Sequence, residues 1–553
     1  MSTGNNPQGG KLRPLADTTF DVLVIGGGIH GATLAAAAAR RGMKVALVEK
    51  GDFGGAASAN SLKILHGGLR YLQQMNLPRM RESIAARREG LTELPHLVQP
   101  ATFLAPTGSG FKRSRPAYHV AAWLNDLISC DRNRGVTPSR CLPKTNVLNA
   151  DAFTSLVGNS GLQADGGLLW GDGFVENTER YTLAYVMSAA KAGAVVLNYT
   201  AAEGFLRQAN TIEGARVRDV DTGETVEVRA RMTVLTTGGW LGELLPESAP
   251  PAGPRVRACN IVVNRQWFGP LGVGLDGHLD SGTAGKASRR NFFFAPWKTG
   301  TIIGTIYDPF DDSTDQCQLT SGEIERFVSD VNGIFPDAAL SPEDVTFAHV
   351  GILPAKPHAI HEPSGTTRVL DLEKEAGIAG CMALLGVKYT TAAIWAQRLG
   401  TDLARRLNIV ARPAEPPLYG GGAIVEPAAL QQRATGSGWS LELSMARWLA
   451  REFGTTAEGV VDRATTKPEL RQPLPETAVP LAAVSYAAVC EQARHLEDVI
   501  FRRTDLGSFA YPGNTALHAA ASTMATELGW EDATIKTEIA RVRQAYQRLG
   551  IPV

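Results

Sequence analysis

The stretch that decides the fold is residues 20–49, FDVLVIGGGIHGATLAAAAARRGMKVALVE. The run FDVLVI is typical of a buried parallel strand, the Ala-rich run after it is typical of a helix, and KVALVE predicts a second strand. Gly26 allows a tight turn, Gly28 lets the backbone approach a pyrophosphate, and Gly31 allows close helix–strand packing. Glu49 ends the second strand, where a carboxylate can accept hydrogen bonds from a ribose. The stretch therefore predicts a dinucleotide-binding βαβ unit.

The composition limits the class of protein. The chain has 553 residues, with 55 Lys+Arg and 55 Asp+Glu, and this balance argues against nucleic-acid binding. Its length predicts two or three domains. The six cysteines form no Cys-x-x-Cys pair and have no His cluster beside them, so no metal site is expected. Neither a signal peptide nor an apolar run of about 18 residues is evident, so we expect a cytoplasmic chain without a transmembrane helix.

Two later segments are predicted to return to the same nucleotide. Residues 231–240, RMTVLTTGGW, predict a strand that ends in a small-residue turn at Gly238. Residues 380–394, GCMALLGVKYTTAAI, predict an apolar strand and then a helix that opens near Lys388 and Thr390. A helix N-terminus stabilises negative charge, such as that on the N1–C2=O edge of a reduced flavin. The glycine motif alone does not separate NAD from FAD, and the second segment favours a flavin.

The predicted fold class is α/β plus α: a Rossmann-like FAD-binding domain interleaved with a β-rich substrate domain and followed by a C-terminal helical domain. Strand patterns at 257–267 and 291–308 indicate the β-rich part, and helical spacing is typical of the chain beyond a Pro- and Gly-rich segment. The predicted boundaries are a flexible N-terminus at 1–19, an oxidoreductase core at 20–410 (FAD-binding parts about 20–100, 165–250 and 355–410; substrate-domain parts about 101–164 and 251–354), a linker at 411–425 and a helical domain at 426–553.

A block of polar and glycine residues follows the dinucleotide unit at 58–72, SANSLKILHGGLRYL. Taken alone, it is typical of a loop that leads into an amphipathic helix. It resembles the S-S-K-L-I-H-G-G-L-R-Y-L signature of FAD-dependent glycerol-3-phosphate dehydrogenases. Further segments that resemble that family, in the same order, are DRNRG at 131–135, PWKTGTIIGT at 296–305, GVKYTT at 386–391 and HLEDVIFRRTDLG at 495–507. The chain is identified as a divergent member over about residues 20–550.

The resemblance implies an FAD enzyme in which flavin N5 takes a hydride from a secondary alcohol and electrons pass on to a quinone. It implies Arg70 and Tyr71 at the substrate, with Lys388 near both flavin and substrate. Arg70 supplies a bidentate fork and Lys388 a point charge, so the two can clamp an anion. Besides the glycine motif and Glu49, the implied cofactor-binding residues are Ser58, Ser61, His66, Gly67, Gly68, Gly238, Lys388 and Thr390.

Two positions depart from the family's pattern. Asn260 stands where the family carries a histidine, and an amide cannot act as a general base near neutral pH. Leu353 stands where the family carries an arginine expected to bind the substrate phosphate. These substitutions favour another small polar alcohol, phosphorylated or not, or a related amine or hydroxy acid. Glycerol 3-phosphate is the alternative substrate, a non-catalytic flavin-binding scaffold is the third hypothesis, and His349 or His66 is the candidate replacement base.

The partners are less well defined by the sequence. Peripheral contact with the inner face of the membrane is expected through the basic residues 81–88, although a solvated helix face fits the same pattern. The electron acceptor is left open among a quinone, oxygen and a second protein. A homodimer is left open as well.

Overall fold

The computed structural model describes residues 11–108, 110–279, 288–313, 317–412 and 417–553. Residues 1–10 of the predicted flexible N-terminus and 413–416 of the predicted linker lie outside the described residues. The rest of the predicted N-terminal segment is folded rather than flexible, because Leu12 and Leu15 are buried in the core of the first sheet. Their i, i+3 spacing places both side chains on one face of a short helix.

Strands and helices are mixed along most of the described chain, and helices alone follow the last strand. The strands are β1 (Thr19–Ile25), β2 (Val45–Val48), β3 (Ile64–Leu65), β4 (Val98–Pro106), β5 (Asn146–Asn149), β6 (Gly166–Val175), β7 (Val195–Leu197), β8 (Thr200–Gln208), β9 (Thr211–Asp219), β10 (Thr225–Leu235), β11 (Arg255–Val263), β12 (Leu271–Leu279), β13 (Ser288–Trp297), β14 (Gly300–Pro309), β15 (Val345–Lys356), β16 (Ala359–Pro363), β17 (Arg368–Asp371) and β18 (Cys381–Leu385). The helices are α1 (Arg13–Ala16), α2 (Ile29–Ala39), α3 (Leu69–Leu72), α4 (Leu77–Glu93), α5 (Arg115–Ile128), α6 (Ala150–Val157), α7 (Thr178–Lys191), α8 (Leu241–Leu244), α9 (Ser321–Ile334), α10 (Leu372–Ala376), α11 (Ala392–Arg406), α12 (Pro427–Thr435), α13 (Leu443–Phe453), α14 (Ala457–Thr466), α15 (Leu481–Cys490), α16 (Asn514–Leu528) and α17 (Asp532–Arg548).

The first sheet is built around β1, with strand order β17-β18-β10-β1-β2-β7. β1 pairs in parallel with β2 and β10, and β10 pairs in parallel with β18, so their carboxyl ends meet at one edge of the sheet. The antiparallel hairpin β8–β9 is joined to β10. Helix α2 contacts both α7 and α11, and its run of buried alanines keeps the helices close. The predicted βαβ unit is confirmed.

The second sheet has the order β16-β15-β11-β14-β13-β12-β4-β6-β3, with β5 paired to β6. The strands predicted at 257–267 and 291–308 correspond to β11 and to the hairpin β13–β14. β6 was expected to belong with the FAD-binding parts, but it pairs antiparallel along the length of β4 and joins this second sheet. β3 also pairs with β6, so the block 58–72 is attached to the second sheet.

The C-terminal helices pack on the second sheet within one continuous apolar core. Phe347 of β15 meets Tyr546 of α17 with ring centroids 5.7 Å apart, and Trp297 of β13 meets Phe509 at 5.9 Å. Aromatic pairs at these distances add to the free energy gained from burial of their surface. The predicted C-terminal helical domain is confirmed.

Part of that domain is less regular than its sequence pattern suggests. The residues 484–503 have helical spacing, but α15 ends at Cys490 and a separate π-helical turn spans Asp498–Arg503. Between them, the Asp498 carboxylate accepts hydrogen bonds from the backbone N–H groups of Arg494 and His495, at 2.8 and 3.0 Å. This local bond to the backbone competes with helix continuation.

A buried cluster of ions fixes the π-helical turn to the first sheet. The Asp52 carboxylate accepts hydrogen bonds from Arg502 Nε at 2.6 Å and from the two Nη atoms of Arg503 at 2.6 and 2.8 Å. Asn198 Nδ2 donates to the same carboxylate at 2.9 Å. Burial alone would raise the pKa of Asp52, but the Arg503 and Arg502 guanidinium groups hold that pKa well below its usual range. The carboxylate therefore stays ionised and links the helical domain to the loop that follows the strand β2.

We expect Asp52→Asn to destabilise the protein by about 3–5 kcal/mol, because Arg503 is left buried without its carboxylate. Urea denaturation followed by tryptophan fluorescence measures this change. Asp17→Asn is the matched control, since it removes one partner of the exposed Arg13–Asp17 pair and should cost less than about 1 kcal/mol. Equal unfolding midpoints for the two variants would contradict the linking role of Asp52.

Candidate active site

The glycine-rich turn between β1 and α2 is too closely packed for side chains. Gly26 has a φ of 108°, and a Cβ atom there would lie 2.8 Å from the backbone oxygen of Thr236. A Cβ atom on Gly31 would overlap the carbonyl oxygen of Gly26, so only glycine lets the helix pass this close to the turn. Gly28 is the N-cap of α2, where unpaired N–H groups and the helix dipole favour a phosphate. The geometry fits the predicted pyrophosphate site.

Glu49 and Ser58 lie on either side of this turn. Glu49 Oε2 accepts a hydrogen bond from the backbone N–H of Gly27 at 2.6 Å, and Oε1 accepts one from the residue two positions after Glu49 at 2.9 Å. Burial raises the pKa of Glu49, while these two N–H groups favour the ionised form. Ser58 Oγ accepts the N–H of Ile29 at 2.9 Å, which brings the block 58–72 to the start of α2. The carboxylate keeps lone pairs for the predicted ribose.

Gly238 and Ser61, two further predicted cofactor residues, have mainly local contacts. Gly238, at a φ of 55°, opens a short turn after β10, and a Cβ atom there would touch nothing within 4 Å. The contact from this segment to the glycine turn comes instead from Thr236, whose hydroxyl donates to the carbonyl of Gly26 at 2.8 Å. Ser61 Oγ accepts the backbone N–H of Lys63 at 3.1 Å. Both residues therefore shape the backbone beside the predicted cofactor site.

His30 is a residue that the sequence reasoning missed. Its Nε2 atom is buried and has no hydrogen-bond partner among the described residues. It faces Gly386, where a Cβ atom would overlap the imidazole ring, so α2 and the end of β18 meet at this histidine. Burial lowers the pKa of His30 to about 4, so the ring is neutral near pH 7 and offers one donor and one acceptor. The sequence feature that points to His30 is its position inside the glycine motif.

FAD fits the group of residues at this edge of the first sheet. The glycine turn leaves room for a pyrophosphate, Glu49 lies beside that turn as the predicted partner of the ribose, and the buried Nε2 of His30 lacks a polar partner that a cofactor can supply. Thr390 and Lys388 lie where β18 leads into α11, whose N-terminus is predicted to face the flavin. These residues would hold the cofactor through its phosphates, its sugar and its ring edge.

The block 58–72 is held in place by two buried ion pairs. Lys63 Nζ lies 3.0 Å from Glu179 Oε2 and 4.8 Å above the Trp297 ring. The backbone N–H of Gly67 donates to Asp172 Oδ1 at 2.6 Å, and a Cβ atom at Gly67 would overlap the guanidinium group of Arg87, which also binds Asp172. No side chain other than hydrogen fits at Gly67.

The end of the block joins the segment that follows β18. The backbone N–H of His66 donates to Thr390 Oγ1 at 3.2 Å, and His66 Nδ1 lies 3.8 Å from Asp172 Oδ2. Gly68 has a φ of 81° and starts α3, which carries the exposed Arg70 and the partly buried Tyr71. The structure thus brings together residues from two distant parts of the chain that the sequence assigned to one site.

Lys388 and Arg70 give this site positive charge. Lys388 Nζ lies 4.0 Å from the centroid of the Tyr71 ring, a cation–π distance. Burial, followed by the charge of Arg70, lowers the pKa of Lys388 to about 8. Most Lys388 side chains therefore carry a proton at pH 7 and lose it as the pH rises through about 8. Two cations within range of each other can hold a doubly charged anion.

The two departures from the family pattern lie on neighbouring strands of the second sheet. Asn260 on β11 is buried, and its Oδ1 accepts a hydrogen bond from Thr305 Oγ1 at 2.7 Å. Leu353 on β15 pairs with Val256 on β11. An amide that already accepts a hydrogen bond and an aliphatic side chain bring no proton acceptor and no positive charge to this wall.

The two candidate bases have different surroundings. His349 pairs with Asn260 across β15 and β11, but it is only 1% exposed and lies against the Trp297 and Phe347 rings. Burial and the charge of Lys63 hold the pKa of His349 well below its usual range. His66, by contrast, has a side chain that is 47% exposed beside the Asp172 carboxylate. His66 is the more accessible of the two.

We expect His30→Ala to weaken FAD binding about fivefold, because the variant loses one hydrogen bond worth about 1 kcal/mol inside the site. The dissociation constant is obtained by titrating apoprotein with FAD and following flavin fluorescence. His119→Ala is the control, since His119 is exposed on α5, and its dissociation constant should equal that of the unmodified chain. Unchanged FAD affinity in His30→Ala would contradict the assignment of His30.

Comparison with known families matches nearly the whole chain. The model of the FAD dependent oxidoreductase family matches residues 21–395, and the model of the C-terminal domain of alpha-glycerophosphate oxidase matches residues 412–535. The first match covers more than half of the chain, and it includes the glycine turn, the block 58–72 and the start of α11.

Individual relatives match along their full lengths. A glycerol-3-phosphate dehydrogenase of Synechocystis sp. is 28% identical over 97% of this chain and 98% of the relative, and glycerol-3-phosphate dehydrogenase 2 of Mycobacterium bovis is 30% identical over 95% and 88%. The solved structure of the glycerol-3-phosphate dehydrogenase from Bacillus halodurans, complexed with FAD, has the same fold, with a TM-score of 0.73 at 21% identity over 98% of this chain and 97% of that one. The chain therefore belongs to the FAD-dependent oxidoreductases, within the glycerol-3-phosphate dehydrogenase family.

Proposed function

We propose that this FAD-dependent oxidoreductase oxidises glycerol 3-phosphate to dihydroxyacetone phosphate. The observation that carries the proposal is the pair of cations Arg70 and Lys388 beside Tyr71, at the edge of the predicted flavin site. Asn260 and Leu353 favoured a different alcohol on sequence grounds. The full-length relatives support glycerol 3-phosphate better, because those from Synechocystis and Mycobacterium bovis are called glycerol-3-phosphate dehydrogenases.

The reaction removes a hydride from C2 of the substrate and a proton from its hydroxyl group. Bound FAD supplies the hydride acceptor. Arg70 and Lys388 hold the phosphate, which fixes the distance of C2 from the cofactor and converts the step into an intramolecular one. Because Asn260 cannot take the proton, we assign this role to His66, whose side chain is 47% exposed and lies 3.8 Å from the Asp172 carboxylate.

We expect glycerol 3-phosphate to bleach the flavin absorbance near 450 nm when it is mixed with the holoenzyme without oxygen. Lys388→Met should raise the KM for glycerol 3-phosphate at least tenfold, because the variant loses one charge-assisted contact to the phosphate. His66→Asn should slow bleaching about 100-fold or more, as is typical when a general base is removed.

His349→Phe is the matched control for His66→Asn, and it should bleach at the rate of the unmodified enzyme. Bleaching by other alcohols but not by glycerol 3-phosphate would contradict the proposed substrate. A flavin that no alcohol, amine or hydroxy acid reduces would support the non-catalytic scaffold instead.

We further propose that the enzyme works on an anionic membrane surface and passes its electrons to a quinone there. The face of helix α5 carries exposed apolar residues three to four positions apart: Val120 is 60% exposed, Trp123 66% and Leu127 57%. Phe111, 84% exposed, precedes this helix, and the basic residues Lys112 and Arg115 lie next to it. An apolar face flanked by cations is typical of helices that lie in a membrane interface.

We propose α5 as the membrane contact in place of the basic segment 81–88, because the arginines of that segment are already paired with carboxylates. Arg81 and Arg88 both bind Asp131, and Arg87 is buried against Asp172. Three arginines thus share two carboxylates, and their side chains are held by contacts within the protein. In the part of the chain that the structure describes, no helix is long and apolar enough to cross a bilayer, so the contact proposed is with the surface.

We expect the double variant Trp123→Glu/Leu127→Glu to lose binding to phosphatidylglycerol vesicles at least about tenfold, since two apolar side chains worth about 1.5–3 kcal/mol each no longer enter the interface. Co-sedimentation with the vesicles measures the bound fraction. Val220→Glu/Val489→Glu changes two exposed apolar residues elsewhere and is the control. Equal sedimentation of both variants with the vesicles would contradict the role of α5.

A further inference from the structure

A small cavity of about 220 Å³ lies beside the proposed substrate site. The elements around it are α3, the first turns of α4 and α11, and the loop at 365–367. Its volume is below the 300–1,000 Å³ that is usual for drug-sized ligands, so the cavity suits a small molecule or one group of it. The lining residues that bear on its chemistry are Tyr71, Arg79, Thr366, Thr367, Lys388 and Thr391.

Arg79 has an unmatched polar atom at this cavity. Its Nη2 atom is buried, and no described residue offers it a hydrogen bond. The guanidinium carbon lies 5.9 Å from the centroid of the Tyr71 ring, and a Cβ atom on Gly365 would come within 3.3 Å of Nη1. The side chain is thus held between a ring and a loop. A buried guanidinium N–H without an acceptor is costly, and an incoming anion would satisfy it.

The charges around the cavity do not balance. Its one carboxylate, Glu82, is bound to Arg398, so these two charges cancel each other. Arg79 and Lys388 have no carboxylate within ion-pair distance among the described residues, and both line the cavity. The helix α11 has 15 residues and begins after Thr391, so its N-terminal dipole adds positive potential. Two uncompensated cations and hydroxyl groups at Thr366 and Thr367 form a site for a phosphate group.

We propose that Arg79 is a ligand of the substrate phosphate, which it holds together with Lys388 in this cavity. Arg79 would supply the bidentate fork that Leu353 cannot, from α4 instead of from β15. The inference rests on the proposed function for the identity of the phosphate ester. The site itself is defined by Arg79, Lys388 and the loop at 365–367, and it can be tested with inorganic phosphate alone.

The test uses the FAD-loaded enzyme and the variant Arg79→Gln. We expect the KM for glycerol 3-phosphate to rise about 10- to 100-fold while kcat changes less than about twofold, because a contact far from the reacting carbon contributes uniform binding. The value of kcat/KM for glycerol, which has no phosphate, should not change. The inhibition constant of inorganic phosphate should rise by the same factor as the KM. Arg79→Lys keeps the charge but not the bidentate fork, so its KM for glycerol 3-phosphate should lie between those of the unmodified enzyme and Arg79→Gln.

Arg81→Gln is the matched control, because it removes a cation from the same helix while Arg88 still binds their shared partner Asp131. Its kinetic constants should equal those of the unmodified enzyme. Flavin content and melting temperature show whether Arg79→Gln is folded. If Arg79→Gln lowered kcat/KM equally for glycerol and glycerol 3-phosphate, or lowered it for neither, the proposed role of Arg79 would be overturned.

The failure of the proposed function has a different signature. An unmodified holoenzyme that does not oxidise glycerol 3-phosphate refutes that substrate. Calorimetric titration with inorganic phosphate then still shows whether the cavity binds phosphate. Binding that Arg79→Gln weakens at least tenfold supports the phosphate site, and binding that is absent or equal in both proteins overturns it.

Discussion

The buried pair of Lys63 and Glu179 is the interaction on which the site depends. The ammonium group of Lys63 has no exposed surface, lies 3.0 Å from the Glu179 carboxylate and covers the Trp297 ring. It therefore joins the block 58–72 to α7, which packs on the first sheet, and to β13 of the second sheet. Burial of two charges is tolerated only when they are paired and hydrogen-bonded, and Thr178 supplies the further hydrogen bond at 3.1 Å. The block that carries Arg70 and Tyr71 is fixed in position as a result.

The electrostatics of the site follow from where charges are and are not paired. Near the block, Arg87 is neutralised by Asp172, and on the outer surface Arg398 is neutralised by Glu82. Two cations without a carboxylate at ion-pair distance among the described residues, Arg79 and Lys388, line one cavity beside Tyr71. A chain with zero net charge can therefore still present a strongly positive site, because anion binding depends on local compensation rather than on the total charge.

The sequence predicted those features that depend on neighbouring residues. The turn at Gly26 and Gly31 and its flanking elements follow from spacing within 30 residues, and the resemblance to a family placed Tyr71 and Lys388 in one site. The sequence did not predict the contact between His30 and Gly386, because these residues are far apart in the chain. Only the packing of α2 against the end of β18 brings them together. The break after Cys490 was missed because helical periodicity does not report hydrogen bonds from backbone N–H groups to the Asp498 carboxylate. A motif compares one position at a time, so it shows that Leu353 cannot bind a phosphate but not that Arg79 can replace the missing ligand. That inference requires the structure, in which α4 and the loop at 365–367 line one cavity.

The central claim is that uncompensated cations beside Tyr71 select a phosphorylated substrate for the FAD site. The most direct measurement is the ratio of kcat/KM for glycerol 3-phosphate to kcat/KM for glycerol, obtained with the same holoenzyme and a soluble electron acceptor. Charge-assisted contacts from two cations predict a ratio of at least about 10², since each contributes about 1.5–3 kcal/mol. A ratio within about tenfold of one would contradict the account, because the cations would then have no part in substrate selection.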